Sequence, residues 1–160
     1  MIPLIGFGGI IRKHFDTLYE DANIIYRFVY FLIIPLVIAG VLLFYQKYLN
    51  SSSVNALITA FSIFTGLLLN IILIIFAIVG RIPQLDSKKE RLLKHLYANS
   101  MYALLISTFL LIILIMTIIL EEWMFYLLIL ITSFFVYFGI VHFFMTLLMI
   151  LRRLFVLLFD

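Results

Sequence analysis

Residues 95–120 read HLYANSMYALLISTFLLIILIMTIIL, 26 residues without Asp, Glu, Lys or Arg between Lys94 and Glu121. A helix crosses the roughly 30 Å bilayer core with about 20 apolar residues, so this stretch is long enough to span. Its run Leu110-Leu111-Ile112-Ile113-Leu114-Ile115 lacks the alternation that a membrane β-barrel strand requires. Three more charge-free runs accompany it: Phe28–Gln46 (19 residues), Tyr48–Gly80 (33) and Trp123–Leu151 (29). The pattern predicts an all-α, polytopic integral membrane protein with a four-transmembrane-helix bundle. Its spans are expected at about 28–46, 54–80, 96–120 and 123–150.

The rest of the chain agrees. In 160 residues, 66% are hydrophobic and 12% charged, with a mean hydropathy of +1.28. Soluble domains are nearer half apolar and a quarter charged. This composition excludes a water-soluble enzyme, a nucleic-acid-binding domain and a disordered regulator, and the length allows one membrane domain, 1–160. There is no cysteine, hence no disulfide framework, thiolate metal site or cysteine nucleophile.

Charge placement sets the orientation. With four spans, Arg12, Lys13, Arg27, Arg81, Lys88, Lys89, Arg91, Lys94, Arg152 and Arg153 share one side, and Lys47 alone lies on the other. The positive-inside bias places both termini and the 81–95 segment in the cytoplasm of a prokaryotic cell, in its inner membrane. Tyr45, Tyr48, Trp123 and Tyr126 then mark the outer interface, and Tyr26, Tyr30 and Tyr97 the inner one. No basic region precedes the apolar first ten residues, so no cleavable signal peptide is expected.

Within residues 1–26, Ile11, Phe15, Leu18 and Ala22 recur at helical spacing, while Arg12, Lys13, Asp16, Glu20 and Asp21 take other faces. That is the pattern of an amphipathic helix on the inner surface. Ser87-Lys88-Lys89-Glu90 reads as a capping box that starts the third helix ahead of its apolar part. Pro83 marks the turn before it. The second and third helices then form a hairpin that stands proud of the membrane or crosses it at a steep tilt. The 151–160 tail either extends the fourth helix or folds back. Pro35 in the first span frees a backbone carbonyl and can kink the helix; neighbouring helices often re-satisfy such a carbonyl, and an ordinary kink without function is the simpler reading.

Candidate functional positions are few. No Asp, Glu, Lys or Arg lies inside a span, which argues against a proton-coupled carrier, an acidic cation ring or a voltage sensor. His142 falls near the inner end of the fourth span, as a helix-to-helix hydrogen bond or, in the sharper reading, an interfacial pH switch. Asn55, Thr59, Ser62, Gly66 and Asn70 form one line along the second span. Asn99, Ala103 and Ser107 do so on the third, and Thr132, Gly139 and Thr146 on the fourth. Such lines are packing seams within or between protomers, or the neutral lining of an oligomeric pore. Arg81, Lys88, Lys89, Arg91 and Lys94 form a basic patch for an anionic signal, a lipid headgroup or a soluble partner, or serve only to orient the chain. His14 and His95 read as members of the cytoplasmic charge runs. No metal-ligand spacing, activated Ser51-Ser52-Ser53 nucleophile or phosphate-binding glycine loop is present, so no catalytic residue, cofactor or metal is expected.

Ser62-Ile63-Phe64-Thr65-Gly66-Leu67-Leu68-Leu69-Asn70 and Tyr97-Ala98-Asn99-Ser100-Met101-Tyr102, with four spans and a basic central loop, carry a resemblance. Over residues 54–110 the chain resembles small prokaryotic membrane proteins encoded beside phage-defence genes. The membrane subunit of Kiwa-type systems and the membrane accessory proteins of some CRISPR loci are of this kind. The resemblance implies a non-enzymatic, self-associating sensor or effector, with membrane lipids and a soluble cytoplasmic partner as its contacts and no direct nucleic-acid binding. The alternative is a small oligomeric channel or transporter for ions or small solutes.

Overall fold

A computed structural model describes residues 6–21, 28–81, 87–120 and 125–159. Side chains of 19–21, 79–81, 87, 88, 158 and 159 lie outside the description. So do the turn expected at Pro83, the interface positions Tyr26 and Trp123, and Arg27 of the inner charges. The described residues are 93% helical, without strands, in five helices. These are α1 (Phe7–Asp21), α2 (Val29–Phe44), α3 (Ser51–Arg81), α4 (Ser87–Ile119) and α5 (Tyr126–Phe159). Three of them, α3, α4 and α5, are long and apolar enough to cross a membrane. α4 spans Ser87–Ile119, so residues 87–95 are helical. α5 runs on through the expected tail to Phe159.

Local chemistry sets the ends of α2 and α3. The first five residues of α2, Val29–Ile33, form a π turn, in which the Ile34 N–H reaches the Val29 carbonyl. Pro35 follows directly, without an N–H for the carbonyl four residues back. At the other end, Gln46 adopts φ 54°. Its N–H bonds Leu43 O at 2.9 Å and the Lys47 N–H bonds Leu42 O at 3.0 Å. That is a Schellman closure with glutamine where glycine is usual. Asn50 then caps α3, its Oδ1 accepting the Ser53 N–H at 2.8 Å.

α4 lies between α3 and α5, α2 packs on α5, and α1 packs on α4. The core repeats every seven residues: Val54, Phe61, Leu68 and Ile75 on α3, Leu96, Ala103 and Leu110 on α4, and Val136, Phe143 and Ile150 on α5. A sevenfold repeat keeps one seam facing its neighbour when helices cross at the shallow angle of left-handed bundles. Small residues allow close approach. A methyl group added at Gly139 would sit 2.7 Å from Leu110 Cδ2. The bundle is tied at two other levels by side chains: Thr65 Oγ1 donates to Ser107 Oγ at 3.1 Å, and the Tyr48 and Tyr126 hydroxyls meet at 2.7 Å.

Candidate functional site

The freed carbonyl of α2 opens a polar network that joins four helices. Phe31 O, four residues before Pro35, accepts from His142 Nδ1 of α5 at 3.0 Å. A proton on Nδ1 leaves Nε2 as the acceptor of the neutral ring. Nε2 lies 2.9 Å from the hydroxyl of Tyr102 on α4, which therefore donates. The face of the Tyr102 ring stacks on His14 of α1, with centroids 3.7 Å apart and planes 12° from parallel. The ring of Phe31 meets both imidazoles edge-on.

His14 is fully buried, and its Nδ1 donates to Asn99 Oδ1 of α4 at 2.9 Å. The Thr17 hydroxyl, one turn further along α1, lies 2.7 Å from its own helix carbonyl at His14 and 3.0 Å from Asn99 Oδ1. Its single proton serves one of these at a time. Arg153, near the end of α5 and 5% exposed, donates through Nη2 to Thr17 O at 3.3 Å. α1 is thus tied through His14 and Thr17 to α4 and α5 by hydrogen bonds, with Leu18 buried beside them.

His14 Nε2 and Asn99 Nδ2 are buried without a hydrogen-bond partner among the described residues. Burial holds the His14 pKa well below the usual histidine value, at about 4. The hydrogen bond to Asn99 opposes that shift, while His142 and Arg153 add to it. The site is therefore a neutral imidazole–phenol–imidazole chain beside a buried guanidinium. It binds helices to each other, and His14 Nε2 is its one bare basic lone pair among the described residues.

Several sequence expectations change. His14 does not belong to the solvated charge run: it points into the bundle while Arg12, Lys13 and Asp16 point out. Neighbours on a helix diverge by about 100°, so one inward polar residue is hidden in a charged stretch. The apolar line of α1 faces the other way, with Phe15 42% and Ile11 38% exposed and Leu18 alone of the described line buried. The network draws in Thr17, Tyr102 and Arg153, which the sequence reading did not single out. The one available signal was spacing, since His14 and Thr17, like Asn99 and Tyr102, lie three apart on one face.

The three small-residue lines part company. Asn99, Ala103 and Ser107 are fully buried, as is Thr146, and Gly139 touches Leu110. These are seams inside the protomer. Asn55, Thr59, Ser62, Gly66 and Asn70 are all exposed on the outer side of α3, opposite its buried sevenfold line. They are not a seam within the protomer. Thr59 returns its hydroxyl proton to Asn55 O at 3.0 Å.

Of the basic patch, Lys89, Arg91 and Lys94 are exposed, and Lys94 pairs with Glu90 at 2.6 Å. The side chains of Arg81 and Lys88 lie outside the described residues. His142 is half-buried inside the network. Comparison with known protein families, curated proteins and solved structures yields no match to this chain.

Proposed function

We propose that the chain is a self-associating, four-span protein of a prokaryotic inner membrane. In this reading it acts without catalysis, as a sensor or effector subunit in defence against phage. The observation that carries self-association is the exposed line Asn55, Thr59, Ser62, Gly66 and Asn70. Ser62, Gly66 and Asn70 lie well inside the 28-residue stretch Ser51–Ile78 that is apolar enough to cross. A side-chain amide facing hydrocarbon lacks the partners that water gives it, and a neighbouring helix supplies them. Gly66 between the polar groups lets two backbones approach.

The fourth span is α2. Its 16 residues (Val29–Phe44) reach only about 24 Å. It nevertheless packs on α5, with His142–Phe31 near its start and Tyr126–Tyr48 just beyond its end. The exposed Phe7, Ile11 and Phe15 support α1 as a helix at the inner membrane surface. The ten-to-one distribution of Lys and Arg supports cytoplasmic termini. The resemblance of residues 62–70 and 97–102 supports the defence role, with Arg81, Lys88, Lys89, Arg91 and Lys94 offered to a soluble partner or anionic signal.

The test is particle mass in nanodiscs for the wild type and for Ser62→Leu/Asn70→Leu. A wild-type oligomer that falls to the mass of one chain in the variant supports the reading. A monomeric wild type at membrane-like density ends it. The same exposed line supports one alternative, a channel between copies, because each bundle is filled by Phe61, Leu68, Leu110 and Phe143. Ion flux through liposomes that is lost in the variant favours the channel.

A further inference from the structure

Where α1 meets the end of α3 and the start of α4, a cleft of about 490 Å³ opens between the three helices. That volume lies in the range of small-molecule sites. Its two kinds of lining come from different elements. Ile75 and Leu93 are buried hydrophobic residues of α3 and α4, and Phe76 beside them is 75% exposed. Lys13 and Asp16 enter from α1 and Lys94 from α4. All three are exposed, so their charges stay in water at the rim. The lining carries two lysines and one aspartate, and Glu90 pairs with Lys94 from the side. Thr17 closes the cleft on the side of the buried network, so the docking of α1 by His14 and Asn99 forms this wall.

An apolar wall below two rim lysines, between helices at the basic end of the bundle, offers the two kinds of contact that a glycerophospholipid makes. We propose that the cleft seats one membrane phospholipid. Its phosphodiester lies between Lys13 and Lys94, and an acyl chain lies along Ile75, Phe76 and Leu93. Basic pockets between membrane helices on the cytoplasmic side bind anionic headgroups by this chemistry. The bound lipid joins α1 to α3, which α1 otherwise contacts little. The assignment rests on the reading that the basic end lies at the cytoplasmic leaflet.

The experiment is native mass spectrometry of the delipidated protein titrated with phosphatidylglycerol. Parallel titrations use glycerophosphoglycerol, the same headgroup without chains, and diacylglycerol, the chains without phosphate. The wild type should retain one phosphatidylglycerol per chain. Lys13→Gln/Lys94→Gln should weaken that binding about thirty-fold, the effect of two lysines acting near an anionic headgroup. Asp16→Asn should tighten it about five-fold, a gain that damage to the fold does not imitate. Both soluble-headgroup and diacylglycerol titrations should be at least about ten-fold weaker than phosphatidylglycerol. Unchanged affinity in the lysine variant overturns the proposal, as does Asp16→Asn without a gain. Glycerophosphoglycerol binding as well as the lipid assigns a free-phosphate site instead, and diacylglycerol binding as well assigns a plain apolar groove. Labelling a single cysteine at Lys89 from each side of the membrane tests the orientation separately. An outward Lys89 ends the membrane reading, while an inward Lys89 with unaltered lipid affinity ends only the cleft.

Discussion

The bond between His142 and the carbonyl freed by Pro35 makes a quantitative prediction. Replacing His142 by Phe removes a 3.0 Å bond to Phe31 O and a 2.9 Å bond from Tyr102. Side-chain hydrogen bonds between membrane helices average about 0.6 kcal/mol and reach about 1.7. An orphaned buried group adds roughly 1–3 kcal/mol. His142→Phe should therefore destabilise the bundle by about 2 kcal/mol. Replacing Pro35 by Ala supplies an N–H at position 35, which can bond the Phe31 carbonyl within its own helix. In that background His142→Phe should cost about 1 kcal/mol less, because only the Tyr102 hydroxyl loses its partner. A coupling of that size is about a five-fold difference in the unfolding constant. Unfolding in mixed detergent micelles with increasing dodecyl sulfate, followed by far-ultraviolet circular dichroism, measures all four proteins. Additivity within about 0.3 kcal/mol would show that the proline carbonyl is satisfied without His142, and would refute the reasoning.

Four further outcomes follow from the same structure. Gly139→Ala should destabilise by about 1 kcal/mol, since the new methyl meets only the flexible end of Leu110, and Gly139→Leu by about 3 kcal/mol; thermal unfolding in detergent reads both. Gln46→Gly should stabilise by about 1 kcal/mol by relieving the left-handed backbone at φ 54°, and a loss of stability in the same assay would count against the Schellman assignment. Ser107→Ala should cost under about 1 kcal/mol, because the single Thr65 hydroxyl proton still has Phe61 O within reach at 2.7 Å. His14 has a folded pKa of about 4, below its unfolded value of 6.5. Its contribution to stability is therefore complete above pH 6.5 and lost as pH falls through about 4, because the unfolded chain takes up the proton first. Protection factors of the α1 amides, which are corrected for the intrinsic slowing of exchange in acid, should fall between pH 6.5 and 4 in the wild type, and His14→Gln should flatten that dependence.

The helices were legible because the physics that places them is one-dimensional. Charge-free runs long enough to cross act on their own segments, and the helices lie over them accordingly. The site was only half legible. Pro35 announces that a carbonyl needs a donor, but no local rule says that the donor is His142, 111 residues away from Phe31. The small-residue lines show the limit more sharply. Asn99–Ala103–Ser107 and Asn55–Thr59–Ser62 have nearly the same spacing, yet one is buried and the other exposed. Helical periodicity defines a face and is silent on what the face meets. His14 and Arg153 were read as surface charge because their neighbours in sequence are charged, whereas burial depends on neighbours in space.

The grip on α1 has a consequence for how the molecule is made. Thr17 meets Arg153 across 136 positions of sequence, and His14 meets Asn99 across 85. A ribosome releases α1 before it has synthesised either partner. The Thr17–Arg153 contact can therefore form only after α5 has been synthesised, so complete docking of the first helix is a late step of assembly.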